Sequence, residues 1–215
     1  TTLEHCQKLS HLHSKYIFIH DYIPDSFLFL FCCPTFGLTV CGDMRAVLFC
    51  LLFFVSPALA APEHPAVAVC FTPGADCDSS LIELIDNAQK TVRVAAYTLT
   101  SEPIADALIR ARQRNVKVWV VLDKNQWRAR KGQGHRLRKH GVGVRYDCEH
   151  QLMHNKFVVV DIRRTVTGSY NFTEAAQERN AENMLILHDK PTAQRYADNW
   201  GWHWSHSVRV VNERK

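Results

Sequence analysis

The sequence predicts an α/β fold, a mixed, mostly parallel central sheet flanked by helices. Two observations predict it. Between Pro65 and Asp123 short β-branched runs alternate with stretches whose apolar residues recur at helical spacing. That alternation is the pattern of strand–helix–strand crossovers on a largely parallel sheet. Further along, the run Lys156-Phe-Val-Val-Val-Asp161 puts valines at successive positions, which requires a strand buried on both faces.

The elements come in order along the chain. Ala66 to Phe71 reads as a strand and Thr72-Pro-Gly-Ala-Asp76 as a loop. A helix capped by Asp78 or Ser79 carries Leu81, Leu84, Ile85 and Ala88 on one face. Asp76 and Asp78 read as loop and cap chemistry rather than as an acid–base pair. Thr91 to Leu99 is a strand, with Val92, Val94 and Ala96 alternating against Arg93. Ser101-Glu102-Pro103 opens a second helix with proline in its first turn, running to about Asn115. Val116 to Leu122 is a buried strand that ends at Asp123. A basic segment and a short strand, Val142 to Tyr146, come next. Strands at 156–161, 165–167 and 184–187 and a helix from Pro191 to about His206 complete the pattern. On that last helix Trp200 and Trp204 share a face that packs inward or into a contact between chains.

The chain begins without methionine, and its first Met is Met44. The segment 44–60 has the form of a secretory signal. Arg45 supplies the positive charge, Ala46 to Val55 the apolar core, and Ala58-Leu59-Ala60 the small-residue cleavage site. The apolar stretch is shorter than the ~20 residues a spanning helix needs. Residues 1–43 then read as an upstream extension outside the working protein. The remainder, 61–215, is long enough for one domain with its own core, located outside the cell or in a periplasm. Setting residues 1–60 aside leaves 23 Lys and Arg against 17 Asp and Glu, a basic balance suited to a polyanionic partner. It also leaves Cys70, Cys77 and Cys148. A Cys70–Cys77 bridge, with Cys148 left over, and free buried thiols are both open readings.

The chemistry concentrates in His154-Asn-Lys156-Phe-Val-Val-Val-Asp161 and Gly168-Ser169-Tyr170-Asn171. Two residues apart on a strand, His154 and Lys156 face the same way, as do Ser169 and Asn171. A neutral imidazole can attack phosphorus and hold it covalently. The Lys156 ammonium and the Ser169 and Asn171 side chains can donate to the phosphate oxygens. Together they would offset the charge that grows in the transition state.

This H-x-K-x4-D plus G-S-x-N pattern resembles the phospholipase D superfamily, most closely its short, secreted bacterial endonucleases with one motif per chain. The likeness extends over roughly residues 65–205 and includes Cys70-Phe-Thr-Pro-Gly, Ala96-Tyr97-Thr98, Asn171-Phe172-Thr173 and Ala181-Glu182-Asn183. It implies a nuclease-like sandwich and metal-independent hydrolysis through a phosphohistidine on His154, with no cofactor. It also implies a phosphate-binding set of Lys156, Ser169 and Asn171, a Glu182 that orients His154, and a largely structural Asp161. The family mechanism needs two motifs. His13-Ser-Lys15 and His188-Asp-Lys190 lack the rest of the pattern, so the resemblance implies a homodimer that shares one site. One departure stands out. Family members carry glycine soon after the aspartate, whereas this chain has Asp161-Ile-Arg-Arg-Thr, which predicts an altered turn.

Between Asp123 and Tyr146 the cations Lys124, Arg128, Arg130, Lys131, Arg136, Arg138 and Lys139 occur with no acid among them. They are candidate contacts to a nucleic-acid backbone, the alternative being a solvated face. Nucleic acid, DNA before RNA and cut with little sequence preference, is therefore the expected substrate. A phospholipid headgroup is the alternative within the family, and a catalytically weak DNA-binding module the alternative outside it. Cys148, His150 and His154 have spacings that a zinc site could use, but no fourth ligand is evident and no metal is assigned.

Overall fold

The computed structural model describes residues 66–209. The expectations for 1–43 and 44–60 fall outside the described residues. Seven strands form one sheet: β1 (Ala66–Thr72), β2 (Thr91–Ala96), β3 (Lys117–Asp123), β4 (Gly143–Asp147), β5 (Lys156–Val160), β6 (Arg164–Gly168) and β7 (Glu182–His188). The described helices are α1 (Cys77–Asp86), α2 (Glu102–Gln113), α3 (Gly134–Lys139), α4 (Glu174–Glu178) and α5 (Lys190–His206), with a 3₁₀ turn at Lys124–Trp127.

The sheet is mixed and flanked by helices, as expected, but it is mostly antiparallel. Its order is β1-β7-β6-β5-β2-β3-β4. Only β2–β3 and β3–β4 pair in parallel. The other four pairs are antiparallel. Connection length explains part of the difference. A parallel neighbour needs a crossover of a dozen or more residues, usually a helix. The strand–helix alternation ends at β4, and the turn from β5 to β6 is too short for anything but antiparallel neighbours, while β1–β7, β2–β5 and β6–β7 are antiparallel by their place in the sheet.

The two faces build two cores. Val92, Val94, Ala96, Val158 and Val160 join α1, α2 and Leu137 of α3 on one face. Ala95, Val121, Phe157 and Val159 meet Ala193, Ala197 and Trp200 of α5 on the other. All five residues of β5 are buried, so the polar pair at its start is held by a rigid, packed strand. Trp200 and Trp204 stack with centroids 5.0 Å apart on the inner side of α5, as the sequence predicts.

The α1 cap differs from expectation. Asp76 is the N-cap and accepts from the Ser79 amide at 3.0 Å. Asp78 turns inward instead, accepting from the Tyr170 hydroxyl at 2.6 Å and the Ser101 hydroxyl at 3.2 Å. It thus ties the Gly-Ser-Tyr-Asn segment to α1 and α2. Ser101 caps α2 as expected. Cys70 and Cys77 are joined in a disulfide, which resolves that open reading, and Cys148 is buried and engaged rather than left over.

The turn after β5 is tight despite the missing glycine. The Arg163 amide donates to Val160 O at 3.0 Å, and Asp161 and Ile162 both have positive φ, 54° and 53°. This is the primed hairpin turn that matches sheet twist, here with a β-branched residue in a left-handed conformation. The Asp161 carboxylate accepts from the amides of Gln89, Lys90 and Thr91 at 2.9, 2.7 and 2.8 Å. Burial would raise its pKa, but these three donors, with Arg164 nearby, hold it below the ordinary carboxylate value. Asp161→Ala is therefore expected to cost about 2 kcal/mol, since two of the freed amides reach water. A depressed folded pKa means that the unfolded chain takes up the proton first. The Asp161 contribution is full above the unfolded value near ~4 and is lost as pH falls through the folded one. Thermal melts of both proteins from neutral to acid pH check this. A gap that does not narrow toward low pH would refute it.

Candidate active site

The sheet gathers the motif at one end. Lys156 opens β5, Gly168 closes β6 and Glu182 opens β7, and antiparallel pairing sets these three positions at one edge of the sheet. His154, Lys156, Ser169, Asn171 and Glu182 line one open cavity of about 510 Å3, with Gly168 and Tyr196. Five of the six residues expected in catalysis thus share a cavity. Asp161 does not, since it sits beyond the far end of β5, where its carboxylate is spent on backbone amides. Its placement is that of a structural residue rather than a catalytic one.

His154 is exposed, and its ring lies 4.5 Å from that of Tyr97, centroid to centroid. Lys156 is buried, with its ammonium 2.9 Å from Nδ1 and 3.0 Å from Nε2 of His154. The same ammonium donates to the His154 carbonyl at 2.7 Å and stands 5.2 Å from the Tyr97 ring. Burial lowers the Lys156 pKa from the ordinary lysine value, and the Glu182 carboxylate opposes that shift.

Ser169 donates to Glu182 Oε2 at 2.5 Å and accepts from the Asn183 amide at 3.0 Å. Glu182 Oε1 accepts from Asn180 Nδ2 at 3.1 Å. The hydrogen bonds of Glu182 therefore run to Ser169 and Asn180, not to His154 as expected from the resemblance. Asn171 Oδ1 is buried and has no hydrogen-bond partner among the described residues, and the amide nitrogen of Asn171 is the atom that can donate to a phosphate oxygen. Gly168 has φ of +151°, and a Cβ there would run into the Asn183 carbonyl. That same carbonyl accepts from the Ser169 and Tyr170 amides. Glycine at this position lets β6 approach β7 closely enough to set Ser169 at the rim.

Two supporting residues escaped the sequence reading. Asp123, fully buried at the end of β3, accepts from the Met153 amide at 2.9 Å and so fixes the residue before His154. Asn155 contacts His203 Nε2 through Nδ2 at 3.0 Å, joining the motif to α5. A polar residue closing an apolar strand was the available signal for Asp123. Nothing in the sequence joined His203 to Asn155, 48 residues away.

The basic segment is divided. Lys124 donates to the His150 carbonyl at 2.8 Å, and Arg136 is paired with Asp106. Arg138 is half-buried and engaged. Arg128, Arg130, Lys131 and Lys139 are exposed. Arg130, Lys131 and Arg136 line a second, larger cavity of about 1220 Å3 with Ser101, Gln133 and Arg179.

Comparison with known proteins gives a consistent answer. The family model described as cardiolipin synthase, PLD-like domain, matches residues 81–204. The chain is 37% identical over 134 residues to a phospholipase D of Rickettsia felis, covering 62% of this chain and 67% of that protein. It is 32% identical over 158 residues to the mitochondrial cardiolipin hydrolase of Xenopus tropicalis, covering 72% and 75%. Among solved structures, Nuc of Salmonella typhimurium, a phospholipase D family member, superposes with a TM-score of 0.66 at 28% identity, covering 69% of this chain and all of that one. With the motif gathered in one cavity, these likenesses establish that the chain belongs to the phospholipase D superfamily and is a phosphodiester hydrolase.

Proposed function

We propose that this protein hydrolyses nucleic-acid phosphodiester bonds, DNA first, through a phosphohistidine on His154. The observation that carries the reading is the cavity itself, where an exposed imidazole, a buried ammonium, the Ser169 hydroxyl and the Asn171 side chain converge. The His154 ring nitrogen bonds to phosphorus as the bond to the leaving oxygen breaks, and that oxygen takes a proton from a second imidazolium. The second imidazole then takes a proton from water, whose oxygen displaces His154 and frees the phosphate. Lys156 and Asn171 meet the phosphate oxygens. Ser169 can join them by turning its hydroxyl from Glu182.

Nucleic acid is favoured over lipid by the exposed Arg128, Arg130, Lys131 and Lys139 and by the wide cavity lined with Arg130 and Lys131. Among the described residues no helix is long and apolar enough to cross a membrane. The name of the cardiolipin hydrolase relative supports the lipid reading, and one assay separates the two. Supercoiled plasmid and phosphatidyl vesicles are offered to the same preparation in excess chelator. Nicking of plasmid with intact lipid is the expected result, and headgroup release without nicking reverses the assignment. Salt-dependent DNA binding without turnover would leave only a binding module. The Cys70–Cys77 disulfide supports work in an oxidising compartment, outside the cell or in a periplasm.

The second imidazole is proposed to be His154 of another copy, giving a homodimer with one shared site. The exposed strip Val67, Val69 and Phe71 on edge strand β1 supports this. Those residues are 50%, 52% and 64% exposed, and Phe71 pairs with Asn183 beside the cavity. Phe71→Asp is expected to yield a folded monomer with activity lowered at least about 100-fold, since a lone site lacks its general acid. Light scattering and plasmid nicking check it, and a fully active monomer would sink the shared-site reading.

A further inference from the structure

A second polar cluster lies on the far side of Asn155. Asp147 ends β4 and is fully buried, His150 sits in the next turn, and His203 and His206 stand one turn apart at the end of α5. One ligand atom from each of the four lies within 4.8 Å of every other. Asp147 Oδ2 is 2.9 Å from His150 Nδ1, 2.9 Å from His203 Nδ1 and 3.0 Å from His206 Nε2. We propose that Asp147, His150, His203 and His206 form a structural zinc site that clamps the end of α5 to the sheet.

The donor set, its geometry and its spacing support this. Three imidazoles and one carboxylate are ligands that zinc takes, and four protein ligands close its tetrahedron. Bonds of about 2.0–2.1 Å place tetrahedral ligands roughly 3.3 Å apart, so the contacts to Asp147 need adjust by only tenths of an ångström, and the longest separation by more. The sequence spacing is paired, Asp147-x2-His150 and His203-x2-His206, as structural zinc sites commonly are.

The surroundings fit the same reading. The amides of Glu149 and His150 donate to Asp147 Oδ1 at 3.1 and 3.2 Å, which leaves Oδ2 to face the imidazoles. Glu149 Oε2 stands 3.7 Å from His206 Nδ1, and the Asn155 amide 3.0 Å from His203 Nε2. These are outer partners of the kind that orient metal-bound histidines. With the amide oxygen turned toward it, Asn155 would accept from a zinc-bound His203. Trp202 is half exposed, yet its ring lies 5.2, 4.8 and 4.8 Å from the rings of His150, His203 and His206. It shields the cluster from solvent, which accounts for a large aromatic on the outer side of α5.

The test uses the full chain, purified without a polyhistidine tag. Elemental analysis is expected to find one zinc per chain. After stripping with chelator, zinc chloride at a thousandfold excess over Kd should raise the Tm by roughly 10 °C. Cobalt substitution should give the visible bands of a tetrahedral ion. His206→Gln, a mild change at a helix end, should remove the bands and the Tm rise while circular dichroism shows the chain folded. His188→Gln, an exposed histidine elsewhere, should leave both intact. Absence of retained zinc together with no Tm rise would overturn the proposal. So would a His206→Gln protein that still gives the bands and the rise, or a His188→Gln protein that loses them. The cluster would then be a hydrogen-bonded clamp around Asp147 alone.

Discussion

Replacing His154 with alanine is expected to lower plasmid cleavage by about 10⁴-fold or more, with the melting temperature unchanged. The size comes from the proposed shared site, because one substitution removes both the nucleophile and the group that protonates the leaving oxygen. The neutral effect on stability comes from exposure, since the ring packs against Tyr97 and fills no core space. Activity and Tm measured together separate chemistry from folding. A variant that keeps a tenth of the parent rate would show that His154 is not the nucleophile. Quenching the parent with alkaline detergent during turnover should also trap a phosphorus–nitrogen bond that survives base and is lost in acid.

The second large effect is expected at Lys156. Its ammonium is buried against His154 and is the strongest fixed positive charge in the cavity. Lys156→Met should slow cleavage by about 10²–10³-fold, the range for loss of one preorganised charge-stabilising donor. Lys156→Arg should not restore the rate, because the planar guanidinium does not fit a slot shaped for a point charge. Burial also sets a pH signature. The lowered pKa means that the ammonium loses its proton at a lower pH than an ordinary lysine, near ~10.4. The alkaline limb of kcat/KM should therefore fall below that value and disappear in Lys156→Met. A limb at the ordinary lysine position in the parent would contradict the role given to burial here.

Much of the site was legible because local spacing and strand geometry suffice for it. His154 and Lys156 stand two apart where the chain enters a strand whose valines fill both faces; that strand starts only at Lys156, yet the ammonium still reaches both ring nitrogens of His154. Gly168 was legible only as part of the Gly-Ser-x-Asn pattern, and its need for no Cβ against the Asn183 carbonyl came from the packing of β6 on β7. Strand direction was less legible. The β2–β4 half reads correctly as crossover units, but nothing local tells β5 to enter antiparallel beside β2. That choice depends on which edge of the sheet the later strands meet and from which end they enter it.

What the sequence by itself determined is the family, the alternation of strands and helices, and five of the residues that share the candidate cavity. All of these rest on separations of a few residues or on a motif. Only the tertiary structure decided the functions that depend on long-range neighbours. It sent Asp161 to the backbone amides of Gln89–Thr91, turned Glu182 toward Ser169, and divided the basic segment into paired and exposed cations. It also brought His203 and His206 to Asp147, more than fifty residues away in the chain. A sequence read alone shows Cys148, His150 and His154 as an unfinished ligand set. The packing of α5 across the sheet supplies different partners, because burial of Trp200 and Ala197 fixes the phase of that helix and so the side on which its last histidines fall.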